Sequence, residues 1–166
     1  EEIKGHKPFL VLADHFTRNG IAVLRYDERG VGDSGGDFAT ATIFDLADDV
    51  SAAVEYIKTL DGFSSIGLVG HSEGGLIAPI VANKNNNIDF IVLMAGPGLT
   101  GKEILELQSS LIFKQMGISS KGLEVYKKTQ STMLQIVVNT KNNEETLKKL
   151  SAASKIYSEL SEEDQY

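Results

Sequence analysis

Gly70-His71-Ser72-Glu73-Gly74 decides the reading of this chain. It follows an apolar run (Ile66, Leu68, Val69) and precedes a helix-like one (Leu76, Ile77, Ile80, Val81). The pattern G-x-S-x-G between a strand and a helix puts the serine on a sharp turn, with its hydroxyl raised above the end of a sheet. The flanking glycines are expected because side chains there would clash inside so tight a turn. Gly75 adds a third where the helix presses closest on the strand. A helix starting at this point aims its N-terminal N–H groups and the positive end of its dipole at charge developing beside the hydroxyl. That is the layout of a serine nucleophile in acyl transfer, with Ser72 attacking and the Glu73 backbone N–H supplying one oxyanion donor. The serine is read this way because strand, turn and helix accompany the motif; a bare five-residue match would say little.

Two further stretches bear on family. Arg25-Tyr26-Asp27-Glu28-Arg29-Gly30-Val31-Gly32-Asp33-Ser34 contains D-x-R-G-x-G-x-S, and Ala95-Gly96-Pro97-Gly98 stands where the chain leaves the strand after the serine's helix. Together with the G-x-S-x-G turn they make Pro8 to Gly98 resemble the central part of an α/β-hydrolase, in the bacterial branch of small esterases and serine-aminopeptidase-like enzymes. The resemblance covers roughly the first 100 residues. It implies an α/β fold, a partial α/β-hydrolase with parallel strands and flanking helices, followed by an all-helical cap or lid.

The elements around the turn fit that plan. Pro8 suits a first helical turn, Leu12 and Phe16 share a face, and Gly20 is a C-terminal cap. Ile21 to Tyr26 (IAVLRY) reads as a buried strand. Thr42 and Asp45 form a capping box before a helix whose face carries Leu46, Val50, Val54 and Ile57, stopped by Gly62. Ser65 to Gly70 is the second strand. Glu73 to about Asn83 is the nucleophile helix, with Pro79 expected to bend it. Asp89 to Ala95 is the third strand. Strands separated by helices imply right-handed crossovers and a parallel sheet covered on both faces.

Composition changes near residue 100. All three prolines, all three histidines and thirteen of sixteen glycines precede residue 101, whereas residues 101–166 are rich in Lys, Glu, Leu, Ser and Gln, which favour helices. A core segment 1–100 and a helical segment 101–166 are therefore expected. The second has helices from Gly101 to Met116 (closed by Gly117), from a Ser119 cap to about Thr140, and from Asn143 with Leu147, Leu150 and Tyr157 on one face. A fourth begins at Ser161-Glu162-Glu163-Asp164. The resemblance implies that this segment is a lid shaping the acyl pocket, the alternative being a plain helical bundle packed on the sheet.

A net charge of −7 argues against nucleic acid, since phosphate binding needs clustered Lys and Arg. No apolar run reaches the ~18 residues of a membrane span. Without cysteine there is neither a disulfide framework nor a thiolate metal site, and the compartment is left open. Gly30-Val31-Gly32-Asp33-Ser34-Gly35 formally matches the dinucleotide pattern G-x-G-x-x-G. That site needs a helix opening at once and an acid about 20 residues on at a strand end. Here Gly36 to Thr40 intervene and Glu55 is in mid-helix. The loop is expected instead to hold Asp27 and Arg29 as a local ion pair.

His71 adjoins Ser72, yet neighbouring strand residues point to opposite faces, so it is expected to be a structural or surface residue rather than the base for Ser72. His6 and His15 read as structural or surface residues, and the three show no metal-ligand spacing. A hydrolase triad runs Ser, then Asp or Glu, then His. No histidine follows Ser72, and Asp89 stands at the wrong end of a strand. The second oxyanion donor comes from a loop expected just before Glu1.

The sequence thus reads as the middle of a larger serine hydrolase of carboxylic esters, with amides or short peptides as the wider class. It needs no cofactor or metal, and by itself it is expected to be inactive. The alternatives are a non-catalytic ligand-binding protein on a hydrolase scaffold, or an acyltransferase. Three strands with open edges are further expected to let isolated chains self-associate.

Overall fold

A computed structural model describes residues 5–158, with side chains described to residue 155. The order is α1 (Pro8–Arg18), α2 (Ile43–Lys58), β1 (Gly67–His71), α3 (Gly74–Lys84), β2 (Phe90–Met94), α4 (Gly101–Gln115), α5 (Ser120–Asn139) and α6 (Asn143–Ser158). The chain divides into two compact units, Glu1–Met94 and Ala95–Tyr166.

In the first unit, α1 opens on Pro8 and ends in a Schellman motif. Gly20, at φ +82°, donates to Thr17 O and Ile21 donates to Phe16 O, satisfying two carbonyls the helix leaves over. The α2 helix starts on the expected capping box. Thr42 Oγ1 accepts the Asp45 N–H while the Asp45 carboxylate accepts the Thr42 N–H. It ends at a Thr59 cap, so Gly62 (φ +95°) shapes the following turn rather than stopping the helix.

The strands β1 and β2 pair in parallel from Gly67↔Phe90 to His71↔Met94. Their lower end is tied by Asp89, whose N–H donates to Ile66 O while its carboxylate accepts the Ile66 N–H, both at 2.8 Å. Helix α3 links the strands and contacts both, and its other side meets α2. Leu46, Ala47, Ile77 and Val81 form the buried cluster, with Leu68, Val50, Ile80 and Ile88 packed around it. Leu68 and Gly70 face α3, which puts Val69 and His71 on the opposite face by the two-residue period of a strand.

Two expectations about the sheet change. Residues 21–26 have no strand conformation: among the described residues no ladder hydrogen bond engages them, and Ile21, Leu24 and Tyr26 are exposed. A strand exists by pairing, and apolar β-branched residues do not create one without a neighbouring backbone. Among the described residues the sheet therefore has two strands, not three. Nor is it covered on both faces, for Val69, Phe90 and Val92, which share the face away from α3, are each exposed.

The second unit is helical. Thr100 and Glu103 form another capping box, Ser119 caps α5 through the Gly122 N–H, and Asn142 caps α6 through the Glu145 N–H. Gly117, at φ +79°, closes α4 as its position suggests. Between α4 and α5, Gln130 donates to Ser109 Oγ (2.8 Å), and the Phe113 and Tyr126 rings meet edge-on at 4.2 Å. On α6, Leu147 is exposed and Leu150 half-buried, while the Tyr157 side chain and the helix expected from Ser161 lie outside the described residues.

Candidate active site

The backbone at Ser72 is the feature from which the site is built. Its φ is +55°, in the left-handed region that costs an L-residue about 1–2 kcal/mol. Both of its main-chain groups are held. The N–H donates to Met94 O at 3.0 Å, extending the ladder one step beyond β1, and the C=O accepts from the Gly75 N–H at 2.9 Å. One bond fixes the serine to the sheet and the other closes the turn into α3.

The tightness of the turn falls unequally on its glycines. A Cβ at Gly70 would lie 2.0 Å from the Gly74 carbonyl oxygen, closer than any real contact. A Cβ at Gly74 would meet nothing within 4 Å. Gly70 is therefore required by contact, whereas the expected crowding at Gly74 is absent because its Cα faces open space at the first turn of the helix.

Ser72 is exposed, and among the described residues its hydroxyl makes no hydrogen bond. Glu73 caps α3 with helical angles (φ −57°, ψ −34°), and its N–H has no hydrogen-bond partner among the described residues. A free amide at a helix N-terminus beside an exposed hydroxyl is suited to hold an oxyanion.

The other sequence candidates are placed elsewhere. His71 lays its ring against Phe9, with centroids 5.2 Å apart, and makes no hydrogen bond to the Ser72 hydroxyl. His6 and His15 are exposed, and His15 contacts the neighbouring Phe16 ring. Asp89 is bonded to Ile66 at the lower end of the ladder, six residues and about 20 Å along the strand from the serine's level.

The loop after residue 26 corrects another expectation. Arg29 pairs not with Asp27 but with α2: its Nε and Nη2 donate to the two oxygens of Asp49 at 2.7 Å each, and Nη2 also donates to Asp45 O. Asp45 and Asp49 lie one helical turn apart and so present both acceptors together. Asp27 folds back on Gly32, at φ +56°, where a Cβ would strike its carboxylate. Hydrogen bonding to Asp49 raises the Arg29 pKa above its ordinary value. Partial burial, then the charges of Asp49 and Glu28, push the Tyr26 phenol up from 10.0, so it stays neutral at pH 7.

Sequence reasoning placed Ala95 at the end of the strand but gave neither it nor Met94 a role at the serine. Met94 supplies the carbonyl that holds Ser72, and Ala95 follows it with φ +49°, the other non-glycine residue at positive φ among those described. The signal available was the end of the apolar run at the small residues Ala95-Gly96.

Comparison with known proteins bears on this geometry. A family model described as "Serine aminopeptidase, S33" matches residues 7–159. Esterase EstD of Thermotoga maritima is 27% identical over 120 residues, which is 72% of this chain and 29% of that protein. The chain thus spans under a third of the length of that curated relative. No solved structure matches the chain. No helix among the described residues is long and apolar enough to cross a membrane.

Proposed function

Because this chain belongs to the serine aminopeptidase family of α/β-hydrolases, we propose that it carries the nucleophile of a serine hydrolase acting on carboxylic esters. The observation that carries the reading is the backbone of Ser72. A left-handed serine at a strand-to-helix turn, with its hydroxyl and the adjacent Glu73 N–H both unbonded among the described residues, is the arrangement acyl transfer requires. The similarity to an esterase supports esters as the first substrate class, with amides and short peptides as the wider one.

In the mechanism, Ser72 Oγ attacks the ester carbonyl carbon as a histidine takes its proton, and the Glu73 N–H stabilises the oxyanion. The tetrahedral intermediate collapses, the acyl carbon–oxygen bond to the alcohol breaks, and the histidine returns the proton to that alcohol. Water, activated by the same histidine, then attacks the acyl-enzyme and releases the acid and Ser72. No histidine follows Ser72 in this sequence, so the histidine and its orienting acid are assigned to parts of the full-length protein outside residues 1–166. The helical residues 101–166 are assigned to a cap. No cofactor or metal enters this scheme.

The test is covalent labelling of the full-length protein with a fluorophosphonate, with Ser72→Ala and residues 1–166 alone as controls. Labelling that vanishes in Ser72→Ala establishes an activated serine, and an unlabelled 1–166 chain places the base outside it. A folded protein that does not label overturns the mechanism and favours a ligand-binding protein on the same scaffold. Product analysis with competing alcohols separates hydrolysis from acyl transfer.

A further inference from the structure

We propose that Ala95 is a positioning residue for Ser72, its left-handed backbone ending β2 level with the nucleophile so that the elbow can close. The inference rests on the reading of Ser72 as nucleophile, although its structural half stands on backbone geometry alone.

In a parallel ladder a residue gives its N–H to one neighbour and takes with its C=O the N–H two residues further along the same strand. Ser72 makes the first of these bonds, to Met94 O at 3.0 Å. Were β2 to run on, the second would bring the Gly96 N–H to Ser72 O and flatten Ser72 into strand conformation. Instead β2 stops at Met94, Ala95 takes φ +49°, and Ser72 O receives the Gly75 N–H at 2.9 Å. The turn at Ala95 releases the carbonyl that the turn at Ser72 needs. Left-handed backbone is uncommon outside glycine and calls for a reason. Packing does not supply one, for Ala95 is exposed.

The requirement is on backbone angle, which sorts substitutions in an unusual order. Glycine and asparagine accept positive φ, and a β-branched residue does not. In the full-length protein, Ala95→Gly and Ala95→Asn should keep the maximal rate of fluorophosphonate labelling within about twofold. Ala95→Val should lower that rate about tenfold or more while leaving the inhibitor's apparent affinity unchanged, since a misplaced nucleophile loses rate rather than binding. Hydrogen exchange of the Ser72 amide should accelerate in Ala95→Val and stay slow in the other two.

Ala95→Val labelling at the wild-type rate with a protected Ser72 amide overturns the proposal. So does loss of rate or protection in Ala95→Gly or Ala95→Asn, which decides the matter even where Ala95→Val fails to fold. If the wild type itself does not label, the nucleophile reading fails, and the Ser72 amide exchange alone decides whether Ala95 sets this backbone.

Discussion

Arg29 holds Asp49 with two parallel hydrogen bonds, Nε to Oδ2 and Nη2 to Oδ1, each 2.7 Å long. With a third bond to the Asp45 carbonyl, one side chain fixes the 27–36 loop to the first half of α2. Lysine offers a point charge on a flexible stem and cannot reproduce a planar fork. Arg29→Lys is expected to lower Tm by a few degrees and to speed proteolysis within residues 27–36. Arg29→Ala should do little more than Arg29→Lys. A lysine variant with wild-type Tm and cleavage rate would show that the fork contributes nothing beyond charge.

Gly70 and Gly74 look equivalent in the motif and differ in space. A methyl group at Gly70 meets the Gly74 carbonyl at 2.0 Å, so Gly70→Ala must open the turn at a cost of at least about 2 kcal/mol. Gly74→Ala meets nothing and removes a flexible residue from the first turn of α3, so it should be neutral or stabilise by up to about 1 kcal/mol. Denaturant unfolding of the two variants checks this; equal losses would mean that the turn needs both glycines.

The Thr42–Asp45 box gives a pH dependence. Hydrogen bonds from the Thr42 side chain and then its backbone hold the Asp45 carboxyl below its ordinary 3.8. A carboxyl depressed in the folded state contributes stability that is present above the unfolded value and lost as pH falls through the folded one. Thr42→Ala should cost about 1 kcal/mol at neutral pH, as the loss of an N-cap does. The gap in Tm between variant and wild type should narrow as pH is lowered from 5 to 2. A gap constant over that range would remove Asp45 from the account.

What was legible in the sequence was what short segments decide by themselves. Thr42 with Asp45, Ser119, Gly20 and Gly117 announce helix ends because a cap is made within a few residues. The turn at Ser72 is local in the same sense. Residues 21–26 were misread because a strand needs a partner backbone, and an IAVLRY run carries no information about whether one lies beside it. The partner of Arg29 was missed for a related reason. Asp27 is close in sequence, but Asp45 and Asp49 are brought together by a helix that packs back on the loop. Their four-residue spacing was the available signal. The strained Ala95 follows from strand register, which composition does not reveal.

Val81 tests the core directly. It is fully buried between α2 and the sheet, and Val81→Ala should cost about 1.5–3 kcal/mol. Val11, 56% exposed on α1, should change stability by less than about 0.5 kcal/mol when replaced by Ala. Unfolding midpoints that move equally in the two variants would mean that α2, α3 and the sheet do not form one packed unit.

The exposed sheet gives the last expectation, for residues 1–166 studied alone. Val69, Phe90 and Val92 present apolar surface beside strand edges, and such edges pair with other copies unless charge or proline blocks them. The isolated chain should sediment as dimers or larger species at high concentration. Val92→Lys places a charge on the exposed face and should shift the distribution toward monomer, with little effect on the cluster around Val81. Monomeric sedimentation of the unsubstituted chain at high concentration would contradict edge pairing. Association that persists unchanged in Val92→Lys would move the contact away from this sheet.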